Sequence, residues 1–224
     1  MVAGTFEELA VAGESTRLYS CGRDRVSAGV VIFHPWWGLN DDVIAYADRL
    51  AGSGFAVLAP DLVRGRTAST IEQAERLARE KEDGHADAAA LAAIDRLAGP
   101  GRGARIGAVG FSMGAAWAMW CAAQRDAVAA SVIYYGTIAG PSLEQAIVPV
   151  LGPFAESDPY EPDQEVLAFE RRLRDAGREA LIHRYPGTGH WFAEPSRKAW
   201  RSQAAELAFD RTVAFLRQHL QPRP

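Results

Sequence analysis

Apolar positions in this chain recur with two periods, and the changes of period mark its elements. Residues 6–11 and 16–20 alternate apolar with polar on either side of Ala12-Gly13-Glu14-Ser15, the pattern of an antiparallel hairpin at a sheet edge. Residues 28–33 are continuously apolar, as in a parallel strand covered on both faces. Behind an Asn/Asp cap, Val43, Ile44, Ala47 and Leu50 take helical spacing over 41–51, and Gly52-Ser53-Gly54 stops the run. A strand is expected at 55–62, a polar loop at 63–69, and a helical stretch at 70–97 broken near Asp83-Gly84-His85 and closed by Gly99-Pro100-Gly101-Arg102-Gly103.

An apolar run from Ile106 feeds an Ala/Trp/Met-rich helix without a breaker before Gln124-Arg125-Asp126. Strands at 128–136, 148–156 and 179–185 and helices at 164–176 and 196–219 complete the chain, with a frayed tail at 221–224. Strands alternating with helices predict an α/β fold: one mostly parallel sheet, helices on both faces and right-handed crossovers, with ligands at the carboxyl ends of the strands. No repeat or linker interrupts it, so residues 1–224 are expected to form a single domain.

Composition narrows the function classes. Hydrophobic residues are 48% and charged residues 23% of 224, with no apolar run long enough for a membrane span. A net charge of −4 argues against nucleic acid as partner. Two cysteines, Cys21 and Cys121, make neither a disulfide framework nor a metal-ligand spacing, and Cys121 reads as a buried inert thiol. Residues 1–8 lack a basic region followed by an apolar one, so a cytoplasmic protein is the expectation.

The candidate chemistry centres on Gly110-Phe111-Ser112-Met113-Gly114. Gly-x-Ser-x-Gly between an apolar strand and a buried helix is a nucleophile elbow, in which the flanking glycines let strand and helix pass closely and the serine Oγ is exposed at a helix N-terminus. The main-chain N–H of Met113 then points where an oxyanion would form. The plainer reading of the same five residues is a tight turn with a capping serine.

A serine hydroxyl needs a base and a group that orients the base. His190 lies in Tyr185-Pro186-Gly187-Thr188-Gly189-His190-Trp191-Phe192, where glycines deliver it to a loop apex after the last strand. Asp158 follows the preceding strand in Glu156-Ser157-Asp158-Pro159, with Glu156 the rival acid. The order Ser112, Asp158, His190 is that of α/β-hydrolases. Of the other histidines, His34 sits at a strand end but suits a loop-fixing role better, while His183 and His219 read as structural. Pro35 has no N–H, so Trp36 is the first residue after the 28–33 strand that can supply a second oxyanion donor. Trp36, Trp37, Tyr160 and Trp191 are expected around the nucleophile as an aromatic, substrate-binding mouth for a neutral, apolar group. Trp117 and Trp120 read as core.

The blocks 33–40, Ala59-Pro60-Asp61-Leu62, 110–114, 155–159 and 185–192 together resemble, in correct order over roughly residues 28–215, the signatures of the dienelactone hydrolase family. The resemblance implies a single α/β-hydrolase domain without a large lid, opening small cyclic esters through a Cys-His-Asp triad. Ser112 would stand at the Cys position, Asp158 at the acid and His190 at the base. Typical members carry a glutamate on the oxyanion loop that helps activate the thiol; Pro35 stands there, which is consistent with a serine that relies on its histidine alone.

Family arginines that hold a substrate carboxylate have no counterpart past the histidine, where Glu194 stands. An acidic residue there is expected to repel an anionic lactone, and Arg64 and Arg66 are the remaining candidates for an anion site. The chain is therefore read as a serine esterase or lactonase acting on a small-molecule ester, with no metal or organic cofactor implied. The rival class is a catalytically quiet member that binds a small hydrophobic ligand or a partner, and acyl transfer to an acceptor other than water is a third reading.

Overall fold

In the computed structural model of the chain, residues 4–22, 28–80, 83–99 and 104–221 are described. Strands β1 (Thr5–Val11) and β2 (Glu14–Cys21) pair antiparallel, with Val11 opposite Glu14. Their turn is only two residues, Ala12 and Gly13, both at positive φ, which matches the twist of a hairpin. Strand β3 (Ala28–Phe33) leads to helix α1 (Asp41–Gly52), where the Asn40 side chain caps by accepting the Val43 N–H at 3.2 Å.

Strand β4 (Ala56–Pro60) follows, then helices α2 (Ile71–Arg79) and α3 (Asp83–Ala98). The long helical stretch thus divides, but just before the expected place: Asp83-Gly84-His85 open α3 rather than interrupting the helix. Of the predicted closing run, Gly99 alone lies within the described residues. Strand β5 (Arg105–Phe111), helix α4 (Gly114–Gln124), strand β6 (Val128–Tyr134), helix α5 (Pro141–Gln145), strand β7 (Val150–Ala155), helix α6 (Asp163–Asp175), strand β8 (Ala180–Tyr185) and helix α7 (Ser202–Leu220) complete the order.

These strands form one eight-stranded sheet in the order β1-β2-β4-β3-β5-β6-β7-β8, with β1 at an edge and β3 to β8 mutually parallel. Side chains alternate across the sheet. Val31 and Phe33 enter a core shared with α3, α4 and α6, whereas Val30 and Ile32 enter one shared with α1 and α7. The chain moves outward from β3 to β4 and then returns to place β5 on the other side of β3. That reversal makes the carboxyl ends of β3 and β5 the switch point where ligands bind in such sheets.

Two expectations need correction. Residues 141–145 form a short helix that the sequence pattern does not announce beyond Gly140-Pro141. The last helix begins at Ser202, six residues later than its apolar spacing suggests. Pro195 disfavours helical backbone at Glu194. The residues after it are spent on tertiary bonds instead: the Ser196 N–H donates to Asp42 on α1 at 3.1 Å, and the Arg201 N–H to the Phe192 carbonyl at 3.0 Å. The loop 63–69 is also less polar in its packing than in its composition, because Val63 and Ala68 join Trp37, Ala74 and Leu77 in a third buried cluster beneath α2.

Candidate active site

The elbow is built by backbone compression. Ser112 sits at φ 49, a left-handed conformation that costs a side-chain-bearing residue about 1–3 kcal/mol and persists only where the surroundings enforce it. A Cβ on Gly110 would run into the Gly114 carbonyl, and one on Gly114 into the Phe33 carbonyl, so strand, helix and the neighbouring β3 close on each other only through glycine. The Ser112 N–H is tied to the Tyr134 carbonyl at 2.9 Å, which fixes the turn against β6.

Ser112 Oγ lies 3.0 Å from His190 Nε2, and His190 Nδ1 lies 2.7 Å from Asp158 Oδ2. A carboxylate only accepts, so Nδ1 carries the ring proton and Nε2 is left to accept from the serine hydroxyl. The Asp158 side chain is fully buried, and its other oxygen accepts the N–H groups of Tyr160 at 2.9 Å and Glu161 at 3.1 Å. The carboxylate therefore cannot swing away from the imidazole. Glu156, the rival acid, instead accepts the Gly187 N–H at 2.9 Å on the exposed side of the loop. The loops bearing acid and base are stitched together: Thr188 Oγ1 donates to the Tyr185 carbonyl at 2.6 Å and accepts the Glu156 N–H at 3.3 Å, while the Ser157 N–H reaches the Thr188 carbonyl at 3.1 Å.

Across the nucleophile, His34 is completely buried and neutral. Its Nε2 accepts the Leu62 N–H at 3.1 Å, and its Nδ1–H donates to the Pro35 carbonyl at 2.7 Å. Burial lowers its pKa, which matches this single-proton arrangement. The Gly38 N–H also donates to the Pro35 carbonyl, at 3.1 Å. In a trans peptide the C=O and N–H point opposite ways, so holding Pro35 O inward turns the Trp36 N–H outward. Among the described residues, the main-chain N–H groups of Trp36 and Met113 have no acceptor. His34 is thus the loop-fixing residue its position suggests.

The aromatic residues gather over the histidine. Tyr160 lies 4.9 Å from the His190 ring centroid, 5.2 Å from Trp191 and 5.7 Å from Trp36, and Trp36 and Trp191 are 6.0 Å apart. Trp37 departs from its expected place at the mouth. It is 2% exposed, covered by Trp36 and Trp191 with the Arg197 guanidinium 3.8 Å above its ring, so it backs the other aromatics. Trp191, like Ser112, holds positive φ.

Glu194 requires a correction. It faces no substrate space: it is 3% exposed, and Oε1 accepts the Tyr135 hydroxyl at 2.9 Å. Burial pushes its carboxyl from 4.5 up to about 8, with Asp42 adding to the rise and Tyr135 and Arg197 opposing it. At neutral pH it is an uncharged acid and repels nothing. Arg64 and Arg66 do not form an open anion site either, because they pair with Glu14 and Glu80 at 2.7 and 3.3 Å. Cys121 is buried and its thiol pKa raised by that burial, as an inert thiol requires.

Sequence reasoning misses two supporting residues. Tyr135, at φ 36, packs its ring 5.0 Å from His190 and joins it to Glu194; Glu161, its carboxyl pushed up to about 7 chiefly by burial, accepts the Thr137 N–H at 2.9 Å. The Tyr-Tyr-Gly end of β6 is the only local sign of the first. Trp117 is a core residue as expected and Trp120 packs against the same core, and both also line a groove together with Met113. Among the described residues, no three His, Cys, Asp or Glu side chains converge as a metal group, and no helix is long and apolar enough to cross a membrane.

A sequence profile of the dienelactone hydrolase family matches residues 17–220. Protein usf of Aquifex pyrophilus is 28% identical over 207 residues, covering 86% of this chain and 88% of that protein. A Bradyrhizobium protein named "probable 2-oxo-3-(5-oxofuran-2-ylidene)propanoate lactonase" is also 28% identical, over 98% of this chain and 96% of its own length. The crystal structure of dienelactone hydrolase from Anabaena variabilis superposes with a TM-score of 0.73 at 20% identity, over 97% of this chain and 98% of that one, a likeness of fold.

Proposed function

The chain belongs to the dienelactone hydrolase family and is a carboxylic ester hydrolase, and from that premise we propose that it cleaves small esters or lactones through a serine acyl-enzyme. The observation that carries this reading is the unbroken hydrogen-bond chain Ser112–His190–Asp158 on a strained elbow. Ser112 Oγ attacks the ester carbonyl as its proton passes to His190 Nε2; the carbonyl oxygen becomes an oxyanion between the Trp36 and Met113 N–H groups. Collapse breaks the bond to the alcohol oxygen, which takes the proton back from Nε2. Water then repeats the sequence on the acyl group, yielding the acid and free Ser112. Asp158 holds the ring in the tautomer that accepts first and stabilises the imidazolium between steps.

Arg64 and Arg66 are both engaged by carboxylates, which favours neutral esters over an anionic lactone of the kind the Bradyrhizobium protein's name describes. The test is intact mass after exposure to a small fluorophosphonate. A single adduct on the parent chain is expected, absent from Ser112→Ala and formed far more slowly in His190→Ala. Equal labelling of Ser112→Ala, or none of the parent at any pH, would sink the reading.

A further inference from the structure

A groove of about 410 Å³ lies along α4, and Met113, the residue after Ser112, is part of its lining. Met113, Ala116, Trp117 and Trp120 fall on one helical face at spacings of three, four and seven, and together form its wall. Ile138, Ala139 and Ser142 from the chain after β6, and Asp87 of α3, complete the lining. The volume lies in the range of about 300–1,000 Å³ typical of small-molecule sites.

Three observations bind this groove to the chemistry. First, Met113 is both a groove residue and the residue whose N–H stands free beside Ser112. Second, Ile138 follows Thr137, whose N–H is held by Glu161, and the Glu161 N–H is in turn held by Asp158. The groove's lining thus includes the chain neighbour of the nucleophile and the chain neighbour of a residue tied through Glu161 to the acid. Third, the wall is set in advance: the Trp117 indole N–H donates to Asp87 Oδ1 at 3.0 Å, and the ring is 6% exposed. Ala116 is the exposed small residue in an otherwise bulky row, and its smallness leaves the room. Among the described lining residues Asp87 is the one charged group, a carboxylate that disfavours an anion.

We infer that this groove receives an uncharged, apolar substituent of the substrate, making bulky neutral esters the substrate class; the inference rests on the esterase reading above. Indole faces and a thioether offer area to a saturated or aromatic ring, while a carboxylate-bearing substituent would meet Asp87.

The test compares kcat/KM for 4-nitrophenyl cyclohexanecarboxylate with that for 4-nitrophenyl acetate, and for cyclohexyl acetate with that for methyl acetate. The parent is set beside Ala116→Phe, which fills the groove from an exposed helix position, and Ile138→Ala, which widens it. In Ala116→Phe one of the two bulky-to-small ratios should fall at least tenfold, and in Ile138→Ala that ratio should hold or rise. Equilibrium binding of the cyclohexanecarboxylate ester to Ser112→Ala, read by quenching of tryptophan fluorescence, should weaken at least tenfold when Ala116→Phe is added. Ratios within twofold of the parent together with undiminished binding would overturn the groove while leaving the esterase standing. Binding that depends on Ala116 in a parent without turnover would uphold the groove and remove the esterase reading alone.

Discussion

His34 and Glu194 are two buried ionisable side chains near the catalytic loops, and burial moves both toward neutrality, the histidine downward and the acid upward to about 8. They differ in how fully their polar atoms are used. Both His34 nitrogens have main-chain partners fixed in direction, so the ring acts as a rigid spacer between the loop after β3 and the loop after β4. Glu194 has one oxygen on Tyr135, while Oε2 has no partner, and the residue lines a cavity of about 10 Å³, room for a single water. A satisfied buried group is a fixture, whereas a half-satisfied one is a place where pH enters the structure.

The contrast can be broken most severely at His34. In His34→Leu the Leu62 N–H loses its partner and the Pro35 carbonyl keeps only the Gly38 N–H, so one of the two bonds that orient the Trp36 peptide is gone. Loss of one oxyanion donor costs roughly 10²–10³ in kcat, so kcat should fall by that order with KM little changed. A kcat within threefold of the parent would mean that the ring merely fills space.

Glu194→Gln should act through pH instead. In the folded chain the acid keeps its proton up to about 8, while in the unfolded chain it loses it near 4.5. Between those values the unfolded state binds fewer protons, so stability falls as pH rises, by at most about 1.4 kcal/mol per unit, and levels off above. The glutamine variant lacks this slope, and its stability relative to the parent, from urea melts at pH 5, 7 and 9, should rise steadily. Parallel curves would show that the carboxyl is not held neutral.

Tyr135→Phe is expected to be the mildest change, removing one buried hydrogen bond at a cost of about 1 kcal/mol. Because that bond lowers the Glu194 pKa, its loss should also push the end of the sloping region to higher pH. An unchanged profile would separate Tyr135 from the acid it touches.

What the sequence could announce follows from the range of each interaction. The strands are readable because a buried parallel strand is a continuous apolar run, and the elbow because its constraint falls on five consecutive residues. Asp158 and His190 are placed by strand-end position, and the structure brings both to Ser112. Glu194 is misjudged because its partner, Tyr135, is 59 residues away, and no local pattern distinguishes a buried acid from one lining a pocket. The start of α7 is missed for a similar reason: Ser196 satisfies itself on Asp42, 154 residues earlier, rather than in the helix its spacing suggests. Helix α5, at five residues, is too short to express a period.

The Thr188 crosslinks give the molecule a property relevant to remodelling. Because Glu156 and Ser157 are bonded through Thr188 to the turn that presents His190, the acid and base segments form one transplantable cassette. A graft or insertion confined to 156–161 would drag the imidazole with it, and one confined to 185–190 would unseat the carboxylate. Any exchange of the catalytic loops therefore succeeds only when both travel together.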